Sequence, residues 1–252
     1  MSADASLQLL LRELGLGLFE AQFATTIERA EQENWGYKRF LHYLAELECA
    51  ARVSRRVERY LKDSGLPPVA RLDRLDPALM PEKARRMLPS LQSGDWVKRG
   101  DNLLLFGLPG RGKTAYGAAL ARSLIQAHEL RVRFVPTFKL VSELLAAKRD
   151  LRLPEALARL NRYPLIILDD LGYAKHDREE MDVLFNFLAE RYEKQLSLIL
   201  TSNLVFSEWD KVFKDAMTAQ AAVDRLIHRA VVVEFTGESI RRTQAQERND
   251  GL

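Results

Sequence analysis

Residues 106–117 read FGLPGRGKTAYG, where Gly107, Gly110 and Gly112 surround a proline and an arginine and lead into a lysine and a threonine. Gly107, Gly112, Lys113 and Thr114 satisfy the spacing G-x-x-x-x-G-K-[ST]. Glycines let the backbone curl until its N–H groups point inward, and a helix starting there adds partial positive charge. Gly107, Leu108, Pro109, Gly110, Arg111, Gly112, Lys113, Thr114 and Ala115 are therefore expected to cradle the phosphates of ATP. In such a loop the lysine, Lys113, meets the β- and γ-phosphates and the hydroxyl, Thr114, sits on Mg²⁺. A second stretch, LIILDD at 165–170, places two carboxylates after four apolar residues. Asp169 is expected to hold Mg²⁺ through water, and Asp170 to act as general base toward the water that attacks the γ-phosphate. For Asp170, capping of the following turn is the other reading. LTSN at 200–203 ends the next apolar run with small polar residues, and Asn203 is placed to orient the same water.

These groups need a scaffold that brings three strand ends to one rim. Short apolar runs at 102–106, 132–135, 164–170, 196–202 and 230–235 alternate with helical segments, the pattern of a parallel sheet covered by helices. The loop of residues 107–114 follows the first run and opens a helix extending to about His128. Before all this, Leu7, Leu10, Leu11 and Leu14 recur at helical spacing, as do Phe19, Phe23 and Ile27, then Phe40, Leu44, Leu47 and Ala51. A Gly- and Pro-containing stretch, KDSGLPPVARLDRLDPALMP, then reads as a linker with little regular structure. It divides an all-helical domain, 1–66, from an α/β domain, 67–252.

No apolar run approaches the roughly 18 residues needed to span a bilayer, and the start of the chain lacks signal-peptide order, so a cytoplasmic protein is expected. Cys49 stands alone and is expected to be buried in a helix. Trp35, Tyr37 and Tyr43 read as core or interface aromatics. The net charge of +3 permits an acidic partner without requiring one. Its distribution is more telling. With ARVSRRVERYLK (51–62) taken as a helix, Arg52, Arg55, Arg56, Arg59 and Lys62 share one face. Such a stripe matches a footprint for DNA phosphates, and equally a solvated amphipathic face.

GLPGRGKT, LIILDD, LTSN, FSEWDKVF (206–213), DRLIHRA (224–230) and GESIR (237–241), in this order, resemble the IstB family, helper ATPases of insertion-sequence transposition related to the DnaC helicase loaders of the AAA+ class. The resemblance covers nearly the whole chain. It implies an α/β AAA+ P-loop NTPase core whose five-stranded parallel sheet runs 5-1-4-3-2, preceded by the small all-α domain. It also implies that Arg225 is an arginine finger toward a neighbouring subunit and that Arg241 is a sensor-II-type arginine, where surface ion pairs are the plainer readings. Lys139, Lys148 and Arg149 correspond to positions that loaders turn toward a central pore, again with a solvated face as the alternative. Many AAA+ proteins carry Asp-Glu where this chain has Asp169-Asp170, a departure expected to slow hydrolysis. The last residues, GESIRRTQAQERNDGL, are too short for the usual helical lid.

The function so implied is that of a DNA-binding ATPase that forms a homo-oligomer on duplex DNA with ATP and Mg²⁺ and stimulates its transposase. A DnaC-like helicase loader is the nearest alternative. A P-loop kinase and a nucleotide-gated binding module are more distant ones.

Overall fold

The computed structural model describes residues 3–172, 178–204 and 224–236, which fall into two compact units, Met1–Arg59 and Tyr60–Leu252. The first is helical: α1 (Ala3–Glu13), α2 (Gly17–Gln32) and α3 (Tyr37–Asp63), the last continuing into the second unit. Leu11, Phe23 and Leu44 form its small core, with Leu16, Phe19 and Phe40 packed around them. Glu48 is buried one turn beyond Leu44 and accepts the Leu18 N–H at 2.9 Å, together with Arg52 Nε at 2.9 Å and Arg55 Nη2 at 3.0 Å. Arg52 also donates to the Gly15 carbonyl at 3.1 Å. Because Leu44 and Glu48 fix the inward face of α3, the next residue, about 100° round the helix, points away. Cys49 is accordingly exposed, contrary to expectation. Tyr37, expected to be covered, is 96% exposed at the start of the same helix, and Trp35 meets Tyr43 edge-on with centroids 5.2 Å apart.

In the second unit, residues 64–80 hold two 3₁₀ turns, Leu72–Arg74 and Pro77–Leu79, in place of regular helix. The short helices α4 (Glu82–Gln92) and α5 (Asp95–Lys98) follow. The α/β part then runs β1 (Asn102–Phe106), α6 (Lys113–His128), β2 (Val132–Pro136), α7 (Thr137–Arg149), α8 (Leu153–Leu160), β3 (Leu165–Leu171), α9 (Arg178–Glu193), β4 (Ser197–Ser202) and β5 (Ala230–Glu234). All strand pairs are parallel in the order β2-β3-β4-β1-β5, the expected 5-1-4-3-2 read from the other edge.

Both faces of the sheet are covered, which is why its central strands read as unbroken apolar runs rather than alternating ones. Leu104, Phe106, Ile166, Leu168, Leu198 and Leu200 pack with residues of α7, α8 and α9. On the opposite face Gly117 of α6 comes so close that an added Cβ would lie 3.1 Å from Ile199 and 3.2 Å from Leu105. The edge strand β2 is partly capped, the Phe134 N–H donating to the Ser64 carbonyl at 2.7 Å. Ser64 is itself fully buried and its hydroxyl accepts from Leu66 N–H.

The end of the sheet where the strands begin is tied by two polar side chains. Arg191, 1% exposed, donates to the carbonyls of Tyr163 at 2.6 Å, Pro164 at 3.1 Å and Ser197 at 2.5 Å. Burial lowers its pKa to about 9, so it stays charged at neutral pH. Asn102 accepts from Leu198 N–H and donates to the Leu226 carbonyl, linking β1 to β4 and to the helical residues 224–227 before β5. Among the described residues no helix is long and apolar enough to cross a membrane.

Candidate functional site

The phosphate loop leaves the C-terminal end of β1 and enters α6 through Gly112, whose φ of 89° lies in the left-handed region that glycine adopts without a Cβ clash. Gly107 has φ 138°, and a Cβ there would collide with the Phe235 carbonyl oxygen at the end of β5. Both glycines are thus required by the path of the chain. Lys113 is buried and folds back over the loop, its Nζ donating to the carbonyls of Gly107 at 2.5 Å and Leu108 at 3.0 Å. Arg111 donates to the Phe235 carbonyl at 3.2 Å, and the Tyr116 ring meets the Phe235 ring edge-on at 5.6 Å. Tyr116 OH donates to the Ala84 carbonyl, and its burial pushes the phenol pKa up to about 12.

Asp169 stands at the end of β3 opposite this loop. Its Oδ1 accepts from Thr114 Oγ1 and from Thr201 Oγ1, each at 2.7 Å, and its carbonyl accepts from Thr137 Oγ1 at 2.9 Å. Thr201, on β4, also accepts the Asp170 N–H at 2.8 Å. The pairing of β3 with β4 skips between Leu168 and Leu171, and Asp170 sits in that irregularity with φ 62° and an exposed side chain. A left-handed backbone is uncommon away from glycine, Asp and Asn being the usual exceptions, and here the Thr201 hydroxyl holds it. Asn203 lies just beyond β4, and its Oδ1 is buried without a hydrogen-bond partner.

A cavity of about 520 Å³ opens beside the loop. Residues 110–116 and Phe235 form one side, and Val69, Arg74, Leu75, Asp76, Leu79 and Met80 form the other. That second wall belongs to the stretch read from sequence as a linker. Arg122 of α6 pins it, donating to the carbonyls of Ala70 at 2.7 Å and Pro67 at 3.2 Å. Asp76 caps its second 3₁₀ turn by accepting the Ala78 N–H at 2.8 Å. The N-cap pattern Asp-Pro-Ala was the one sequence signal that this segment is ordered. Thr137 and Thr201 were also missed, since single threonines at strand ends carry no spacing signature.

The pattern of the IstB-like ATP binding protein family matches residues 9–248. The chain belongs to that family. A relative in Sinorhizobium fredii, named as a putative insertion sequence ATP-binding protein, is 40% identical over 97% of this chain and 82% of its own length. A Pseudomonas aeruginosa relative, named as an ATP-binding protein of insertion sequence IS21, is 35% identical over 93% and 88%. The DnaC helicase loader crystal structure superposes with a TM-score of 0.58 at 20% identity, covering 71% of this chain and 99% of that one. The likeness to DnaC shows a shared AAA+ fold.

The remaining sequence candidates fall elsewhere on this IstB-like chain. Arg225 lies in the helical residues 224–227 before β5, half-buried, its guanidinium 5.2 Å from the Phe185 ring. This is the strand-start end of the sheet, so Arg225 is separated from its own phosphate loop by the length of β1. Arg52 and Arg55 are committed to Glu48, while Arg56, Arg59 and Lys62 are exposed farther along α3. Burial raises the Glu48 pKa, but the hydrogen bonds from Arg52, Leu18 N–H and Arg55 outweigh it and hold the carboxyl below its ordinary value. On α7, Lys139 and Arg149 are exposed, and Lys148 lies 3.7 Å from Asp182. Arg241 lies outside the described residues, as do FSEWDKVF, GESIR and the final stretch on which the missing lid was inferred.

Proposed function

We propose that this chain is an ATP-driven helper of DNA transposition that assembles with ATP on duplex DNA, engages and stimulates its transposase, and leaves when ATP is hydrolysed. The observation carrying the ATP chemistry is the convergence of Thr114 and Thr201 on one oxygen of Asp169 beneath the loop. Two hard oxygen donors, hydroxyl and carboxylate, within 2.7 Å of each other suit Mg²⁺, and the unpartnered buried Asn203 Oδ1 nearby suits a bound water. The residues present therefore fit the nucleotide and its metal.

In this reading the backbone N–H groups of the loop between Gly110 and Ala115 receive the phosphates, and Lys113 Nζ exchanges two loop carbonyls for β- and γ-phosphate oxygens. The cavity wall from Val69 to Met80 takes the nucleoside end. Thr114 and Asp169 hold Mg²⁺, which when bound neutralises charge developing on the phosphates. Asp170 accepts the proton of the attacking water and Asn203 aligns it. Arg225 serves the site of a neighbouring protomer, consistent with its distance from its own loop. DNA is met by Arg56, Arg59 and Lys62 of α3, with Lys139, Lys148 and Arg149 as a second group. A cytoplasmic location follows from a DNA substrate.

The insertion-sequence names of the relatives at 40% and 35% identity favour this reading over a helicase loader, whose likeness is of fold. Imaging the purified protein on duplex DNA tests it directly. ATP and a non-hydrolysable analogue should both give ordered assemblies, and only those with ATP should disperse. Equal assembly with ADP would refute the reading.

A further inference from the structure

At the strand-start end of the sheet, away from the phosphate loop, lies a second cavity of about 580 Å³ that the nucleotide chemistry does not use. Arg131 and Arg133 at the start of β2, Arg159 on α8 and Arg162 in the turn before β3 line it, with Glu143 of α7 as the one carboxylate among the described residues there. Glu143 is engaged by Arg133 at 2.5 Å. Among the described residues, Arg131, Arg159 and Arg162 have no carboxylate within ion-pair distance. Arg131 lies over the Tyr163 ring at 4.8 Å, and its Nε is buried with no hydrogen-bond partner. Buried donors are nearly always paired, so an open one in a cationic cavity marks where an acceptor is received. Beneath the arginines the floor is apolar: Leu144 is 1% exposed and Leu160 3%.

We infer that this cleft receives a carboxylate-bearing segment of a partner protein, an extended stretch whose apolar side chain fills the floor while flanking Asp or Glu residues pair with Arg131, Arg159 and Arg162. The guanidinium fork matches carboxylates two bonds at a time, and arginine clusters are a recurring means of reading acidic motifs. Duplex DNA fits less well. Its phosphates lie on the outside of a convex cylinder, so it would touch the exposed Arg159 and Arg162 and leave Arg131 and the apolar floor uncovered. A single strand would need an open aromatic face for its bases, and the Tyr163 ring is covered by Arg131. The inference rests on the reading that this chain engages a transposase.

Arg159 and Arg162 are exposed, so Arg159→Gln/Arg162→Gln should leave the fold intact, with unchanged ATP affinity as the check. Binding is measured to an intact insertion-sequence transposase, the partner class proposed above, and to overlapping peptides that tile it. Peptides with Asp or Glu flanking an apolar residue should bind the wild type, and the double variant should bind them and the transposase at least about tenfold more weakly. An acidic peptide re-made with Lys should bind an Arg159→Glu/Arg162→Glu variant in preference to wild type. A transposase that binds both proteins equally would overturn the cleft while leaving the partner reading standing. A transposase that does not bind wild type at all would remove the partner reading and the cleft with it. A shallower salt dependence of DNA affinity in the double variant, with the peptides indifferent, would overturn the inference in favour of DNA.

Discussion

Asp169 does not act alone: one of its oxygens is shared by a loop threonine and a strand threonine, and the second of these also fixes the backbone of Asp170. Thr201→Val keeps the shape while removing one donor and one acceptor. The Asp170 N–H, only part-buried, then loses the hydroxyl that holds its left-handed backbone. The expected outcome is ATP affinity within a few-fold of wild type and turnover lower by about 10- to 100-fold, of the order found when a positioned proton-transfer group is displaced. Two companions separate binding from chemistry. Lys113→Ala should abolish ATP binding, and Asp170→Asn should keep it while hydrolysis stops. Fluorescent-nucleotide titration with steady-state phosphate release distinguishes all three, and equal affinity in Lys113→Ala would contradict the cradle.

Among the elements, α3 has two roles along its length. Its middle is a clamp built on Glu48, and only its later cations, Arg56, Arg59 and Lys62, are proposed for DNA. Replacing these three with Gln should flatten the salt dependence of duplex affinity by up to about three units, at roughly 0.9 per phosphate contact. Arg52→Gln and Arg55→Gln should chiefly lower thermal stability. Equal flattening by both sets would put DNA on the whole stripe. The clamp is also acid-sensitive. Because the folded state holds the Glu48 pKa below its ordinary 4.5, its contribution is present above that value and disappears as pH falls through the folded one. Helix content on acid titration should fall more steeply through that window in wild type than in Glu48→Gln.

These elements also show how far the sequence could be read. The strands were legible because two-sided burial writes them as short apolar runs, and β1 lies where NLLLF stands. The path of the loop was legible because its glycines, lysine and threonine stand at a fixed spacing after β1, and the place of Asp169 because it ends an apolar run. Residues 69–80 were not: a cavity wall of scattered Val, Leu and Met between prolines has no period. Nor could the stripe on α3 reveal that Arg52 and Arg55 face a buried carboxylate, since helical spacing gives direction and not depth.

For the whole molecule, the role proposed for Arg225 in a neighbour's site would make hydrolysis depend on assembly. Arg225→Ala should bind ATP yet fail to hydrolyse it. Mixed with Asp170→Asn, it should regain part of the activity, because some interfaces then join an intact base to an intact finger. Mixed oligomers shown to form, yet silent in phosphate release, would remove Arg225 from the neighbour's site.

The Ser64 carbonyl that caps Phe134 has a consequence for aggregation. A sheet's outermost strand offers unpaired amides to any passing chain, and natural proteins cover such margins. Here the cover comes from residues that precede the boundary suggested by the prolines. An α/β unit begun at residue 60 retains Ser64 and should stay monodisperse, whereas one begun at residue 67 bares β2 and should self-associate through it. Light scattering of the two, side by side, would show whether those few residues act as a guard for the sheet.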